Sequence, residues 1–261
     1  MALDEEILIG TNDHVRLITI NRESARNART RAHNQRIAEA IIEADHDPSI
    51  HMVAITGAGN KAFSAGADLK AAADMADRGE ANRGPLHSPD RSVHEVIIDS
   101  KKPCMAIVNG PALAGGFELV LACDIRIAAD HAFFAMTEAK RGRGAHFASV
   151  LLPAIVPPAV AMEWLFTGRR IPAQEAERWG LVSKVVPYES LMASALALAG
   201  EIVSSAPLSL QRMKQTYRKA HALPLAEAIR LDVGPDVYMS EDQKEGARAF
   251  LEKRPAVWRG E

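Results

Sequence analysis

Two glutamates and a pair of glycines are the residues in this sequence whose types and spacing suggest chemistry. Glu118 lies just after Gly115-Gly116, in the first turn of a predicted helix, and Glu138 follows two predicted strands. Glycines that open a helix leave backbone N–H groups without partners at the positive end of the helix dipole. Such a site stabilises an oxygen that becomes negative during a reaction. Two carboxylates beside it suit proton transfer next to a carbonyl group.

A purely structural interpretation of the same residues is also open. The helix dipole favours a glutamate in the first helical turn, and a Gly-Gly pair is typical of a turn. These residues alone do not choose between the two interpretations.

The pattern around the glycines predicts the elements that position both glutamates. The apolar run before them is bounded by Pro103 and Asn109, which predicts a buried strand. In chain order, the predicted segments are a strand at 104–108, a turn at 112–116, a helix at 117–123, and a strand pair at 125–128 and 132–136 that delivers Glu138.

A second stretch of small residues, Ala65-Gly66-Ala67, follows another predicted strand. A ligand could approach the backbone closely there, since these residues present little side chain. Two such turns could each donate one N–H to the same oxygen, which is how a two-donor oxyanion hole is built.

The remaining pattern divides the chain into a sheet-rich part and a helical part, with the break near residue 190. A strand, a helix and a strand in the first part predict a parallel pair. Residues 71–89 predict a loop or frayed helix, and Ser88-Pro89 predicts the next helix start. The other predicted segments are strands at 7–9, 15–20 and 52–56, and helices at 31–45, 159–166, 172–179, 190–205, 207–221, 225–233 and 240–252.

The composition of the 261 residues is ordinary for a globular protein, with 48% hydrophobic and 25% charged residues. The net charge of -2 gives no general field for nucleic acid or a membrane surface, so we expect neither partner. Cys104 and Cys123 lie in apolar runs and predict free thiols in a reducing compartment. With no signal-peptide pattern at the N-terminus, we expect a cytoplasmic protein. No metal-ligand spacing, C-x-x-C or G-x-S-x-G motif occurs, so we expect no metal.

Several long segments match a known family in order along nearly the whole chain. They are AFSAGADLK at 62–70, VNGPALAGGFELVLACDIRIA at 108–128, AFFAMTEAKRG at 132–142, LFTGRRIPAQEAERWGLVSKVV at 165–186 and KEGARAFLEKR at 244–254. By these segments the chain resembles the crotonase (enoyl-CoA hydratase/isomerase) superfamily. The resemblance implies an α/β fold: a spiral of ββα turns over residues 1–189, which binds CoA and carries catalysis, and a C-terminal helical trimerisation region over residues 190–261.

The resemblance also implies a partner, an assembly and site residues. It implies an acyl-CoA thioester substrate, no cofactor beyond that coenzyme A, and a homotrimer or dimer of trimers. The oxyanion donors map onto the N–H groups of Ala67 and Gly115, and the acid/base pair onto Glu118 and Glu138. Lys253 matches a basic residue that reaches the nucleotide phosphates of a neighbouring subunit in some members. The other CoA contacts map onto Ala25, Arg26, Ala65, Asp68, Leu69 and Lys70.

Two places depart from the family pattern. Residues 144–149 stand where hydratases have a glycine-rich turn that shapes the acyl pocket, and His146 and Phe147 are far bulkier than glycine. Either these side chains alter acyl specificity or add a titratable group, or His146 packs against the next helix. Arg29 replaces an apolar residue. Arg29 belongs to a basic cluster that also contains Arg22, Arg26, Arg31 and Arg36. The alternatives are that this cluster binds CoA phosphates, forms a solvated face or binds RNA.

The implied function is reversible syn addition of water to a 2-enoyl-CoA, giving a 3-hydroxyacyl-CoA. The alternatives are a double-bond isomerase working mainly through Glu138, another crotonase-type acyl-CoA reaction, and an acyl-CoA-binding protein without turnover. The sequence does not separate fatty acid metabolism from the degradation of an aromatic or amino-acid skeleton, and it does not reveal the acyl chain.

Overall fold

The strands of this α/β fold form two sheets. In residues 3–78 and 91–261, which the computed structural model describes, the strands are β1 (Ile7–Asn12), β2 (Val15–Ile20), β3 (Met52–Gly57), β4 (Cys104–Val108), β5 (Ala112–Leu113), β6 (Ile125–Ala129), β7 (Phe133–Ala135), β8 (Ile171–Pro172) and β9 (Lys184–Val186). The six-stranded sheet has the order β1-β2-β3-β4-β6-β9, and β5-β7-β8 form the second sheet.

The helices of the described residues are concentrated in the second half of the chain. They are α1 (Leu3–Glu6), α2 (Arg31–His46), α3 (Leu69–Asp77), α4 (Val93–Asp99), α5 (Gly115–Ala122), α6 (His146–Leu151), α7 (Pro158–Thr167), α8 (Ala173–Arg178), α9 (Tyr188–Val203), α10 (Pro207–Ala220), α11 (Leu225–Ala228) and α12 (Glu241–Glu252). No single helix among them is long and apolar enough to cross a membrane, and α9 and α10 pass that test only as a pair bent by 99°.

The N-terminal strands and helix confirm the predicted parallel unit. β1 and β2 are an antiparallel hairpin, with Asp13 in the turn at a φ of 48°. β2 and β3 run parallel, with Val15 opposite Met52. The helix between them, α2, begins after Thr30, whose side chain accepts the N–H of His33 and caps the helix.

The central strand and helix lie in the core. Every residue of β4 is buried, and so is every residue of α5 after Gly115. A helix that is apolar on all sides needs cover on all sides. Contacts with α4, α6 and β5 of the second sheet provide that cover. The core therefore holds the start of α5 rigidly, where the glycine pair lies.

Three sequence predictions are corrected by the structure. The predicted strands at 125–128 and 132–136 exist as β6 and β7, but they lie in different sheets. The pattern after Glu138 predicted only helices, and yet β8 and β9 complete the two sheets there. These strands are too short for a period-two pattern to show. The helix predicted at 225–233 ends early, at Ala228.

The described helix after the polar stretch is α4, and the predicted start at residues 88–89 stays a prediction. Ser88-Pro89 lies outside the described residues. In the described part, α4 starts after Ser92, which accepts the N–H of Glu95, while the Glu95 side chain accepts the N–H of Ser92. This reciprocal capping box satisfies two donors at the helix start. Val93, Val96 and Ile97 are buried as predicted.

Candidate active site

Two loops meet at the start of α5, one at Gly66-Ala67 and the other at Ala114-Gly115. A Cβ on Gly66 would lie 3.0 Å from the Gly115 nitrogen and 2.9 Å from the Leu113 oxygen. Gly66 also has a φ of 88°, a conformation that glycine adopts without strain. The loops can therefore touch only because position 66 carries no side chain.

Two unused N–H donors border the same cavity. In the described part of the chain, neither the Ala67 N–H nor the Gly115 N–H donates a hydrogen bond. Both residues line a cavity of about 50 Å³, together with Glu138. A two-donor oxyanion hole needs this arrangement of convergent amides beside a catalytic group.

Ala114 holds its turn in a strained backbone conformation. Its φ is 53° and its ψ is -129°, a region that L-residues avoid at a cost of about 1–3 kcal/mol. The Ala114 N–H donates to the Ala135 oxygen at 2.9 Å, and its own oxygen accepts the N–H groups of Phe117 and Glu118. These bonds hold the strained turn and leave the adjacent Gly115 N–H outside the hydrogen bonds of the helix.

Glu138 faces this cavity from the opposite chain segment. It lies three residues beyond β7, at the start of a 3-10 turn (Ala139–Arg141), and so not at the strand end as predicted. Its Oε2 atom is buried and has no hydrogen-bond partner. Burial, together with the charge of Glu118, raises the pKa of the Glu138 carboxyl to about 6. A hydrogen bond with the backbone of Glu138 itself and the charges of Arg141 and Arg143 oppose that rise.

Glu118 is 9% exposed and lies in the first turn of α5, as predicted. Its Oε1 atom accepts the N–H of Ala148, at the start of α6, at 3.2 Å. Burial raises the pKa of Glu118, while the N–H groups of Ala148 and Phe147 and the charge of Arg29 oppose the rise by stabilising the ionised form. The two predicted glutamates therefore come together, and their surroundings differ.

The residues predicted to contact CoA come together with one exception. The Ala65 N–H donates to the Arg26 oxygen at 3.0 Å, which joins the stretch at 25–26 to the stretch at 65–70. Leu69 and Lys70 are exposed beside it. Lys253 is exposed at the end of α12. Its predicted contact involves a neighbouring subunit, so the single chain does not test it.

The Asp68 carboxylate has a structural task at this place. It pairs with Arg22 at 3.0 Å and accepts the N–H of Ala71 at 3.1 Å, in the first turn of α3. These bonds lower the pKa of Asp68, the N–H of Ala71 most of all. The predicted CoA contact of Asp68 stays a prediction.

Arg29 does not lie on a solvated basic face. It is only 3% exposed. Its backbone N–H donates to the Gly66 oxygen at 2.8 Å, its oxygen accepts the Asp68 N–H at 2.9 Å, and its Nη2 donates to the Gly115 oxygen at 2.6 Å. The chain at Arg29 runs beside the Gly66-Ala67 loop like a short strand, which turns the guanidinium inward. Arg29 thereby connects both loops that carry the oxyanion donors.

The segment at 144–149, which departs from the family pattern, contains the start of the short helix α6. His146 is exposed at its start and is not packed against the next helix. Its ring contacts Phe147 edge-on at 5.4 Å, and the Phe147 ring stacks on His94 at 4.5 Å. Phe147 therefore lies inside the structure beside the Glu118 contact, while the proposed acyl-pocket role of both residues stays a prediction.

Sequence reasoning missed four residues at this site. Thr137, Arg141 and Arg143 line the cavity with Glu138, and His94 lies behind it on α4, 8% exposed. The closeness of both arginines to Glu138 in the sequence was an available signal. Nothing in the pattern of α4 indicated that His94 faces the site.

Metal-binding geometry is absent from the described residues: no group of three or more His, Cys, Asp or Glu side chains could hold an ion there. Cys104 and Cys123 are buried free thiols, as predicted. That the protein uses no metal or cofactor stays a prediction.

Comparisons with known proteins agree on one family. The Enoyl-CoA hydratase/isomerase family model matches residues 10–261. A carnitinyl-CoA dehydratase of Salmonella enteritidis is 42% identical over 265 residues, which cover 99% of this chain and 100% of that protein. A carnitinyl-CoA dehydratase of Citrobacter koseri is 43% identical, over 93% of this chain and 94% of that protein.

Solved structures give the same result. A probable enoyl-CoA hydratase/isomerase from Mycobacterium abscessus has a TM-score of 0.88 and 38% identity, with 100% of both chains covered. An enoyl-CoA hydratase from Bacillus anthracis also has a TM-score of 0.88, with 32% identity over 98% of this chain and 100% of that chain. The protein is therefore a crotonase-type enzyme that belongs to the enoyl-CoA hydratase/isomerase family.

Proposed function

We propose that this enzyme catalyses the reversible addition of water to a 2-enoyl-CoA, giving a 3-hydroxyacyl-CoA. One observation carries the proposal: the unused N–H groups of Ala67 and Gly115 border the same cavity as Glu138. Glu118 lies beside this group, close enough for its charge to act on Glu138.

The two N–H groups supply the first requirement of the reaction. Water adds to the β-carbon of a conjugated thioester only if negative charge on the thioester oxygen is stabilised. The Ala67 and Gly115 amides would donate to that oxygen as the enolate forms. Loss of one such donor costs about 2.7–4 kcal/mol of transition-state stabilisation in an oxyanion hole.

The two carboxyls supply the proton transfers. Burial raises the pKa of Glu118, but backbone N–H bonds to its carboxylate and the nearby Arg29 charge offset part of that rise and stabilise its ionised form. Glu138 has an unpaired buried oxygen and a raised pKa, which favours its protonated form. In hydration Glu118 would take a proton from water as the hydroxyl bonds to the β-carbon, and Glu138 would give its proton to the α-carbon. Dehydration reverses both transfers.

The names of the relatives suggest a second substrate, carnitinyl-CoA, whose acyl group carries a trimethylammonium cation. The high identity over the full chain favours a dehydratase reaction of this kind. The buried Arg29 guanidinium opposes a cationic acyl group, because like charges repel strongly where water is excluded. We therefore place dehydration of a 3-hydroxyacyl-CoA without that cation first.

The decisive experiment follows the loss of the conjugated-thioester absorbance with 2-enoyl-CoAs of rising chain length. We expect fast decay at one length, and we expect Glu118→Gln to lower kcat for hydration by about 10²-fold or more, because water loses its base. Glu39→Gln, an exposed change on α2, is the control and should leave kcat unchanged.

The same variant separates the alternatives. An isomerase works through Glu138 alone, so double-bond migration should survive in Glu118→Gln while hydration is lost. Full hydration in that variant would refute the assignment of roles. Tight acyl-CoA binding with no product at any acyl length would instead support a binding protein without turnover.

A further inference from the structure

Behind the oxyanion loop lies a pair of buried side chains whose donors have no acceptors. Arg29 is 3% exposed, and its Nη2 donates to the Gly115 oxygen at 2.6 Å, but its Nε and Nη1 atoms have no partner. His94 is 8% exposed, and neither of its ring nitrogens has a partner. We call Arg29 and His94 the buried donor pair.

Unpaired donors of this kind need an explanation. Leaving a buried donor without an acceptor destabilises the folded protein, and most buried polar groups in native structures are paired. Burial lowers the pKa of Arg29 to about 10, so its guanidinium stays positive at neutral pH. Burial and the Arg29 charge lower the pKa of His94 to about 3, against a contact with the Gly115 backbone too long or bent to count as a full hydrogen bond, so its ring is neutral with one N–H to donate. The buried donor pair therefore offers one positive charge and several N–H groups.

The pair lies beside the reacting groups. The Arg29 guanidinium is bonded to Gly115 itself, and its charge acts on Glu118. The His94 ring stacks on Phe147, whose backbone N–H stabilises the Glu118 carboxylate. Arg29, His94 and Glu118 therefore lie around the start of α5, where the acyl group of a thioester bound at the Gly115 N–H would begin.

Two exposed arginines line the cavity that Ala67, Gly115 and Glu138 border, on the other side of the Gly115 loop contact from Arg29. Arg141 and Arg143 line it with Glu138, and in the described residues neither has an ion-pair or hydrogen-bond partner on its side chain. Their charges act on the Glu138 carboxyl. Three guanidinium groups therefore surround two catalytic carboxyls, which leaves positive charge in excess where the acyl group would bind.

We propose that the acyl group of the natural substrate carries an anionic acceptor, in the simplest case a carboxylate, which Arg29 and His94 bind. This inference rests on the proposed acyl-CoA function and adds the class of acyl group. A hydrocarbon chain would leave the buried donors unpaired, and a cationic chain would be repelled. A carboxylate would satisfy them with charge-assisted hydrogen bonds, which are the stronger kind.

The test measures binding, so that it does not depend on turnover. The dissociation constants of succinyl-, glutaryl- and adipyl-CoA are compared with those of butanoyl-, pentanoyl- and hexanoyl-CoA, which have the same chain lengths without the carboxylate. We expect one of the carboxylated thioesters to bind about 10-fold or more tightly than its uncharged counterpart, the effect of one hydrogen bond to a charged group. Equal or weaker binding of all three would overturn the proposal.

Variants test which side chains bind the carboxylate of the thioester. Arg29→Met should remove the preference for the carboxylated thioester, and Arg29→Lys should keep part of it because the charge remains. His94→Phe should reduce the preference while keeping a ring stacked on Phe147, and it serves as the second variant if Arg29→Met does not fold. Arg170→Met, an exposed arginine over the Phe133 ring, is the matched control.

Other outcomes contradict the assignment in different ways. If Arg141→Gln with Arg143→Gln removes the preference and Arg29→Met does not, the cavity rim binds the anion and the buried donor pair does not. If Arg29→Met weakens the binding of free CoA as much as that of every thioester, the arginine binds the CoA phosphates. An unchanged preference in Arg29→Met and His94→Phe would mean that buried water satisfies these donors.

Hydration assays separate this proposal from the proposed function. The pair 4-carboxy-2-butenoyl-CoA and 2-pentenoyl-CoA differs only in the terminal group. Hydration of both with no preference in binding or kcat/KM would keep the function and overturn the acyl class. A binding preference that Arg29→Met removes, with no hydration of either thioester, would keep the acyl class and overturn the function.

Discussion

At the scale of single residues, burial and neighbours give two glutamates different surroundings. Glu118 has backbone N–H donors on its carboxylate, and Glu138 has an unpaired buried oxygen. Both carboxyls therefore hold protons at a higher pH than they would in water, because burial outweighs the hydrogen bonds and charges that oppose it. The same residue type can thus serve as a base in one place and as an acid in the other.

The raised pKa of Glu138 predicts a pH-dependent change in stability. The folded carboxyl has a pKa of about 6 against 4.5 for the free group, so folding favours its protonated form. Its contribution to stability is full below pH 4.5 and is lost as pH rises through 6. The change in the free energy of unfolding that Glu138→Gln causes should therefore be more stabilising at pH 8 than at pH 4, by up to about 2 kcal/mol. Urea unfolding at both pH values measures this.

Glu245 provides a control for which the pH dependence of stability has the opposite sign. The Arg254 guanidinium and the Val257 N–H lower the pKa of its carboxyl to about 2, so its contribution to stability is present above pH 4.5 and is lost as pH falls toward 2. Glu245→Gln should destabilise the protein at pH 8. A Glu138→Gln effect that is the same at pH 4 and pH 8 would contradict the raised pKa.

At the scale of elements, the site depends on two loops held in contact. The loop before α3 and the loop before α5 each contribute one N–H, and Gly66 allows them to touch. Arg29 connects both through its backbone and its guanidinium. Turns of small residues are visible in the sequence, but their contact depends on the packing of β3, β4 and α5.

The contact of the loops predicts the effect of Gly66→Ala. The new methyl would lie 2.9 Å from the Leu113 oxygen and 3.0 Å from the Gly115 nitrogen, at a φ of 88° that alanine avoids. We expect the loops to separate and kcat/KM to fall by about 10²-fold or more, since a displacement of about 1 Å has that effect in a preorganised site. Steady-state kinetics with the best enoyl-CoA, together with circular dichroism, measures this.

Gly200→Ala in α9 is the matched control for that change. A Cβ there has no atom within 4 Å. In a helix interior, alanine is about 0.5–1 kcal/mol more favourable than glycine. The control should keep full activity and gain stability, and an active Gly66→Ala variant would show that the loop contact is not needed.

At the scale of the whole molecule, the C-terminal helices are tied to the sheet and also leave an apolar surface. The Nζ of Lys214 on α10 pairs with Asp124 at 2.8 Å and donates to the Ile97 and Lys102 oxygens beside β4. On the other side of α10 an open groove of about 810 Å³ is lined by apolar residues, including Met213 and Tyr238. Apolar surface of this extent is typical of an interaction site.

If the protein assembles as the predicted homotrimer or dimer of trimers, we expect this groove to form part of the subunit contacts. Tyr238 is 77% exposed in the single chain. If subunits cover it, Tyr238→Asp should bring a charge into the interface and release monomers, because an unpaired buried charge is strongly unfavourable. Light scattering after size exclusion measures this, with Ile42→Asp, an exposed apolar residue on α2, as the control. A monomeric unaltered protein would contradict the predicted assembly.

Much of the fold and part of the site followed from local patterns. The apolar run at β4 and the strand-helix-strand unit of β2, α2 and β3 were predicted from residues near one another in sequence. So were Glu118, in a first helical turn, and the small residues of both loops. The short strands β8 and β9 could not be predicted, because their few residues become strands only by pairing with β7 and β6.

The sequence by itself determined the family, the two glutamates and the positions of the turns that donate N–H groups, because these are properties of residue type and local spacing. Only the tertiary structure decided that Arg29 is buried against Gly115, that His94 faces the same place, and that Glu138 has a pKa near 6. Burial and electrostatic shifts arise between residues far apart in the chain. Their magnitudes are set by the distances and the exclusion of water that packing creates.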